Sequence, residues 1–127
     1  MMAAIRGKDT KPEMRVRRYL HAAGFRYVLG GRGLPGRPDL VFPSRRAVVF
    51  VHGCYWHRHP HCRYTTTPST RRDFWLSKFR ENVQRDARVE RELREAGWDV
   101  HVIWGCETTQ RERLEGLRAA LDALDPC

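Results

Sequence analysis

The sequence lacks any long apolar run. No stretch of its 127 residues approaches the roughly 18 apolar residues that span a membrane. The amino-terminal segment MMAAIRGKDTKPE lacks the apolar block of a secretory signal, and the chain has no repeat, low-complexity tract or internal linker. We therefore expect a soluble cytoplasmic protein that forms one compact domain over residues 1–127.

Acidic residues are few compared with basic ones. The chain has 15 Asp and Glu residues against 24 Lys and Arg residues, a net charge of +9. Its isoelectric point is about 10.1. A polyanion is the natural partner for such a charge, and nucleic acid is favoured over an anionic membrane.

The chain has four cysteines, and their placement favours a metal site. The four cysteines are Cys54, Cys62, Cys106 and Cys127. They would suffice for two disulfides, but in a reducing cytosol cysteines clustered with histidines more often bind metal. The segment HGCYWHRHPHC, from His52 to Cys62, holds two of these cysteines and four histidines.

Zinc takes four thiolate or imidazole ligands. Cys54, Cys62, Cys106 and either His59 or His61 would supply them, if the strand WDVHVIW runs parallel to AVVFV and brings Cys106 to the same sheet edge. The alternative is that the cysteines are small buried residues and the histidines lie in a solvated loop. Cys127, the last residue, is expected to be a free thiol.

The sequence predicts three helices and four strands. Thr10 and Glu13 form a capping box at the start of the first helix. A long helix capped by Thr70 covers about 71–96, and a last amphipathic helix opens at Thr109. The predicted strands are FRYVL, DLVF, AVVFV and WDVHVIW. This order predicts an α/β fold, a mixed sheet flanked by helices, with the apolar AVVFV as central strand.

Asp39 begins the second strand, after a turn rich in glycine and proline. A carboxylate at a strand edge, with polar or carbonyl groups on the next strand, can hold Mg²⁺, which prefers oxygen ligands. A turn-capping aspartate is the alternative. His52 and His57 lie one strand away, where an imidazole could move protons during phosphodiester hydrolysis, although both could be ordinary loop histidines.

Several motifs together resemble one family. The segments are MMAAIRGKDTKPE, LPGRPDLVFP, AVVFVHGCYWHRHPHC, TRRDFW, NVQRDARVERELREAGW and VIWGC. They resemble the very short patch repair (Vsr) DNA mismatch endonucleases over nearly the whole chain, and VHGCYWHRHPHC is highly specific. The resemblance implies a restriction-endonuclease-like fold with a structural zinc site. It also implies a strand-specific nick 5′ of the thymine in T:G mismatches, which arise when 5-methylcytosine deaminates.

The resemblance also implies roles for single residues. Asp39 and the backbone carbonyl of Val51 would bind Mg²⁺. His57 would be the catalytic histidine, supported by His52. Glu13 and Asp86 would orient the attacking water or His57, although a carboxylate on a helix is more commonly a solvated charge.

The implied zinc ligands are Cys54, Cys62, Cys106 and, as the expected fourth, His59. The aromatic residues Tyr55, Trp56 and Trp75 would intercalate beside the mismatch, where a wobble pair opens more easily than a Watson-Crick pair. Trp75 could instead be a core residue. The basic residues expected to hold phosphates are Arg58, Arg63, Arg71, Arg72 and Lys78.

The expected partner is double-stranded DNA that contains a T:G mismatch. We also expect a monomer active at the bacterial nucleoid, with a functional link to a DNA cytosine methyltransferase. Two other functions fit the sequence. One is a nuclease of the same fold that acts on other DNA, and the other is a zinc-stabilised DNA-binding module without hydrolysis.

Overall fold

The computed structural model describes residues 10–31 and 33–124. The segment before Thr10 and the predicted free thiol of Cys127 lie outside these residues. The helices are α1 (Lys11–Ala22), α2 (Cys54–His57), α3 (Arg72–Glu95) and α4 (Arg111–Asp122), and the strands are β1 (Val28–Leu29), β2 (Leu40–Phe42), β3 (Ala47–His52) and β4 (Asp99–Trp104). Short 3₁₀ helices cover Pro43–Arg45 and Gly105–Glu107.

The four strands form one mixed sheet in the order β1-β2-β3-β4. Strand β2 is antiparallel to β1 and to β3, whereas β3 and β4 are parallel, with His52 opposite Trp104. The predicted central position of AVVFV and its parallel pairing with WDVHVIW are therefore confirmed. Because parallel strands end at the same edge of a sheet, the segments after His52 and Trp104 emerge side by side.

Apolar side chains cover both faces of the sheet. On one face, α1 and α4 enclose a core that includes Leu20, Val49 and Leu121. On the other face, α3 contributes Leu93 to a second cluster with Val48. Alternate residues of β3 thus enter opposite cores, which is why this strand is apolar throughout. The predicted α/β class, a mixed sheet flanked by helices, is confirmed.

The element boundaries depart from the prediction in the first strand. The segment FRYVL was expected to be a strand, but only Val28 and Leu29 pair with β2, and both are exposed. Phe25 is instead buried, and Tyr27 packs edge-to-face on Phe42. In the register of β1 and β2, the residues before Tyr27 fall opposite Pro43–Arg45, which form a 3₁₀ helix and offer no strand to pair with.

The N-termini of the helices show which of the predicted capping residues form a capping hydrogen bond. Thr10 Oγ1 accepts a hydrogen bond from the backbone N of Glu13 at 3.4 Å, so the predicted N-cap forms, whereas the Glu13 side chain pairs with Arg17 instead of completing the capping box. The prediction for Thr70 is wrong, because Arg71 precedes α3 in a left-handed conformation (φ 55°) and no side chain caps this helix. The last helix begins at Arg111, because Thr109 closes the preceding turn by donating to the Cys106 carbonyl oxygen at 3.3 Å. Among the described residues, no helix is both long and apolar enough to cross a membrane.

Candidate active site and metal centre

A cavity of about 500 Å³ opens where α1, α3 and the ends of β2 and β3 meet. The residues predicted to take part in catalysis all line it: Glu13, Asp39, His52, His57 and Asp86, together with Val51. The fold thus brings residues from α1, the start of β2, β3, α2 and α3 to one cavity, although they lie up to 73 positions apart in the chain.

Asp39 enters this cavity from the start of β2. Its Oδ2 accepts a hydrogen bond from the backbone N of Val51 at 2.7 Å, which ties the carboxylate to β3. Burial raises the pKa of Asp39 from its ordinary 3.8 to about 6, and the neighbouring charge of Glu13 adds to the rise. Glu13 is itself only 6% exposed and forms an ion pair with Arg17. The cavity therefore holds two desolvated carboxyl groups.

His57 lies at the end of the short helix α2 and faces α3. Its Nδ1 is 2.7 Å from Oδ2 of Asp86, and its side chain is 31% exposed. With the Asp86 carboxylate as acceptor, Nδ1 carries the proton and donates, so Nε2 is left as a proton acceptor. The imidazole is thus fixed in one tautomer while remaining accessible.

The His52 ring stacks against the His57 ring. The two imidazoles are stacked, with centroids 4.0 Å apart and planes 4° from parallel. Burial, followed by the charge of His57, lowers the pKa of His52 from 6.5 to about 4. His52 is therefore neutral near pH 7 and packs against His57 without repelling a proton there.

A second group of donor atoms lies at the edge where β3 and β4 end. The donor atoms of Cys54, His59, Cys62 and Cys106 all lie within 4.8 Å of one another. His59 Nδ1 is 3.6 Å from Sγ of Cys54 and 3.5 Å from Sγ of Cys106. A tetrahedral zinc with ordinary bond lengths places sulfur and nitrogen ligands about 3.6 Å apart. The donor set fits zinc in both chemistry and spacing.

The structure also separates the two candidate histidines. His59 joins the three cysteines, whereas His61 is exposed and has a left-handed backbone (φ 56°). All three described cysteines are free thiols. Burial, followed by the neighbouring Cys54 thiol, raises the pKa of Cys106 to about 12. Its proton is therefore held at neutral pH unless a cation replaces it.

The aromatic residues form one cluster on a buried base. Tyr55, Trp56 and Trp75 are partly exposed, and each contacts buried Phe79, with ring centroids 5.3, 6.2 and 6.1 Å from it. Trp75 is thus neither wholly in the core nor free in solvent. The three rings join α2 to α3 and leave part of their surface accessible.

Comparison with known proteins identifies the family. A family model described as DNA mismatch endonuclease Vsr matches residues 1–64. A type II nicking enzyme of Xanthomonas oryzae pv. oryzae is 48% identical over 123 residues, 96% of this chain and 90% of that protein. The DNA mismatch endonuclease Vsr of Escherichia coli is 43% identical over 113 residues, 89% of this chain and 72% of that protein.

The chain belongs to the Vsr DNA mismatch endonuclease family. The resemblance read from the sequence is thereby confirmed. A further type II nicking enzyme, from Neisseria meningitidis serogroup A, is 41% identical over 121 residues, 92% of this chain and 86% of that protein.

The basic residues of this Vsr-family chain differ in their surroundings. Arg58 turns inward: it donates to the carbonyl oxygens of Tyr55 (3.1 Å) and Thr66 (2.8 Å), and its guanidinium lies 3.9 Å from the Phe79 ring centroid. These contacts are those of a side chain that organises the loop. The other four predicted basic residues are exposed: Arg63, Arg71, Arg72 and Lys78.

Three polar residues at or beside the cavity of this Vsr-family chain were not singled out from the sequence: Arg37, Asn82 and Arg85. Asn82 Nδ2 donates to the Trp56 carbonyl oxygen at 3.3 Å, and Arg85 donates to Asn82 Oδ1 at 2.6 Å. Arg37 and Arg85 are exposed and line the cavity beside Asp39 and Asp86. A signal was available for two of them, because residues 82, 85 and 86 fall on one helical face.

Proposed function

We propose that this chain is an endonuclease that nicks one DNA strand 5′ of the thymine of a T:G mismatch, by Mg²⁺-dependent hydrolysis. The observation that carries the proposal is the convergence of the Asp39 carboxylate and the His57 imidazole on one cavity. Membership of the Vsr family supports the same reaction. The two groups suit metal-dependent phosphodiester hydrolysis, because the carboxylate can hold the cation and the imidazole can move a proton.

Asp39 is the proposed Mg²⁺ ligand, with the backbone carbonyl of Val51 beside it. The donor chemistry fits, since Mg²⁺ prefers carboxylate and carbonyl oxygens and the cavity holds two desolvated carboxyl groups, those of Asp39 and Glu13. The raised pKa of Asp39 indicates a negative charge that its surroundings leave incompletely compensated. When bound, the ion would stabilise the charge that develops on the phosphate.

His57 is the proposed general base. Its Nδ1 donates to Asp86, so Nε2 can accept a proton from the attacking water. Neutral His52, stacked beneath it, keeps the ring in place without adding a positive charge. Arg37 and Arg85, at the rim of the cavity, are suited to hold the phosphates that flank the reacting one.

Mismatch selection is assigned to Tyr55, Trp56 and Trp75. A wedge transfers strain to DNA only if it is rigid, and these rings rest on buried Phe79 and on the zinc-binding loop. A T:G pair opens at lower cost than a matched pair, so insertion favours the mismatch. The exposed residues Arg63, Arg71, Arg72 and Lys78 would hold the backbone during insertion.

The wider setting of the proposal follows the family resemblance. We assign the sheet and its helices to a restriction-endonuclease-like fold in a single domain, with zinc bound by Cys54, His59, Cys62 and Cys106 as its structural ion. The enzyme would act as a monomer on double-stranded DNA. It would act alongside a DNA cytosine methyltransferase, whose product deaminates to the T:G mismatch.

One set of duplexes tests the function. Labelled DNA carrying T:G, T:A or C:G at one position is incubated with the protein and with Mg²⁺, Ca²⁺ or no divalent ion. We expect nicking only of T:G duplexes, and only with Mg²⁺. Cleavage of all three duplexes would support a nuclease of other specificity, and retention without cleavage would support a DNA-binding module.

The assigned residues are tested by Asp39→Ala and His57→Ala. Both should abolish nicking while zinc content and thermal unfolding remain those of a folded protein. His21→Ala is the matched control, because His21 is an exposed histidine on α1 outside the cavity. Full activity of either cavity variant would refute the mechanism.

A further inference from the structure

Trp104 lies between the zinc-binding cluster and the catalytic histidines. It is the last residue of β4 and is partly buried. The His59 ring stacks on its indole, with centroids 4.4 Å apart and planes 11° from parallel. His52 meets the same indole edge-to-face, with centroids 5.2 Å apart and planes at 72°. One side chain therefore contacts a zinc-ligand candidate and a histidine of the active site.

The parallel register explains why Trp104 occupies this place. It pairs with His52 across β3 and β4, and the chain then turns at once into the 3₁₀ helix that carries Cys106. The Trp104 backbone N donates to Oε1 of Glu107 at 3.1 Å, which ties the strand end to that turn. The position of Cys106 and the plane of the indole are thus set together.

The rings form a continuous series of contacts from one site to the other. His59 contacts Trp104, Trp104 contacts His52, and His52 stacks on His57 at 4.0 Å. Within the described residues, Trp104 is not among those that line the catalytic cavity, so it has no direct contact with a substrate there. Any effect of Trp104 on hydrolysis must pass through the histidines it touches.

We propose that Trp104 is a positioning residue that couples the zinc centre to the catalytic His57. Its indole fixes the plane of His59 for the metal and, through an edge-to-face contact, the plane of His52, on which His57 is stacked. The inference depends on the proposed function, since it takes His57 as the general base and the cysteine and histidine cluster as the zinc site. Without the indole, both histidine rings gain room to rotate.

Three variants test the coupling. Trp104→Ala removes the ring, Trp104→Phe keeps an aromatic face, and Trp98→Ala is the matched control. Trp98 is a partly buried tryptophan at the other end of β4, where its ring contacts Arg46 at 4.5 Å. Two quantities are measured for each: the rate of zinc transfer to a chromogenic chelator, and kcat and KM for nicking of a T:G duplex.

We expect Trp104→Ala to release zinc faster and to lower kcat, each by about 10- to 100-fold, as for other groups that orient metal ligands. KM should change little in zinc-saturated buffer, because the residues proposed to contact DNA are not substituted and their loop keeps its metal. Trp104→Phe should restore most of both losses, and Trp98→Ala should cause neither. Should Trp104→Ala fail to fold, Trp104→Leu leaves a smaller cavity than alanine, has no ring, and should show the same two losses.

Two results would overturn the inference. One is wild-type zinc release and kcat in Trp104→Ala, and the other is faster zinc release with kcat unchanged. If the wild-type protein itself does not nick, the proposed function fails, but the coupling can still be judged separately. In that case the rate of zinc release and the ¹⁵N resonances of the His57 ring test the coupling. If the rings are coupled, Trp104→Ala changes both the zinc release rate and these resonances, and Trp98→Ala changes neither.

Discussion

Replacing Asp39 with asparagine removes a charge from the cavity and keeps the shape of the side chain. Asparagine can still accept the hydrogen bond from the backbone N of Val51, which lies 2.7 Å from Asp39 Oδ2. The substitution therefore mimics the protonated aspartate at every pH. The free energy of unfolding of Asp39→Asn, compared with wild type, then measures what ionisation of Asp39 costs the folded state.

The magnitude follows from the pKa of Asp39, which rises from 3.8 in the unfolded chain to about 6 in the folded protein. At about 1.4 kcal/mol per pKa unit, full ionisation costs the folded protein about 3 kcal/mol. Because the pKa of Asp39 is higher in the folded state than in the unfolded chain, wild type has its full stability below pH 3.8, where Asp39 is protonated in both states. It loses stability as the pH rises through 6 and the folded protein ionises. Asp39→Asn should therefore be more stable than wild type by about 3 kcal/mol at pH 7.5 and by about half as much at pH 5.

The assay is urea unfolding in magnesium-free buffer at the two pH values, with Asp122→Asn as control. Asp122 is exposed on α4, and its substitution should change the unfolding free energy by less than about 0.5 kcal/mol at either pH. Added Mg²⁺ should stabilise wild type and not Asp39→Asn, because binding to the folded state alone raises its stability. If Asp39→Asn is no more stable than wild type, or is more stable by the same amount at both pH values, the buried-charge reasoning is refuted.

Three further substitutions test separate parts of the structure. Cys106→Ala should lose bound zinc and unfold at a lower temperature, and metal content equal to that of wild type by atomic absorption would show that the ligand set is wrong. Gly36→Ala should lower the unfolding free energy by about 1–3 kcal/mol, since its backbone is left-handed (φ +71°) and a Cβ would lie 2.4 Å from Cγ1 of Val89. Gly116→Ala, inside α4 with no atom within 4 Å of the added Cβ, should raise it by about 0.5–1 kcal/mol. Urea midpoints measure both glycine variants, and a change of the same sign in the two would contradict this reading of their surroundings.

Some features of this protein were determined by the sequence alone. Its basic charge, the N-cap at Thr10, the apolar central strand AVVFV and the mixed sheet could all be predicted, because each depends on residue type and local spacing. The cysteines and histidines that form the zinc candidate were also visible as a cluster. The motifs of VHGCYWHRHPHC were specific enough to indicate the family, which the comparisons confirm.

Other features were decided only by the tertiary structure. The choice of His59 over His61, the pairing of His57 with Asp86, the inward turn of Arg58 and the position of Trp104 depend on which elements meet. Some of these contacts join residues separated by up to 52 positions. Others join a side chain to a loop whose path depends on packing. A local pattern carries no information about such distances. These distances are set by the parallel register of β3 and β4 and by the packing of α3 against the sheet. Register and packing fix the direction in which each side chain points.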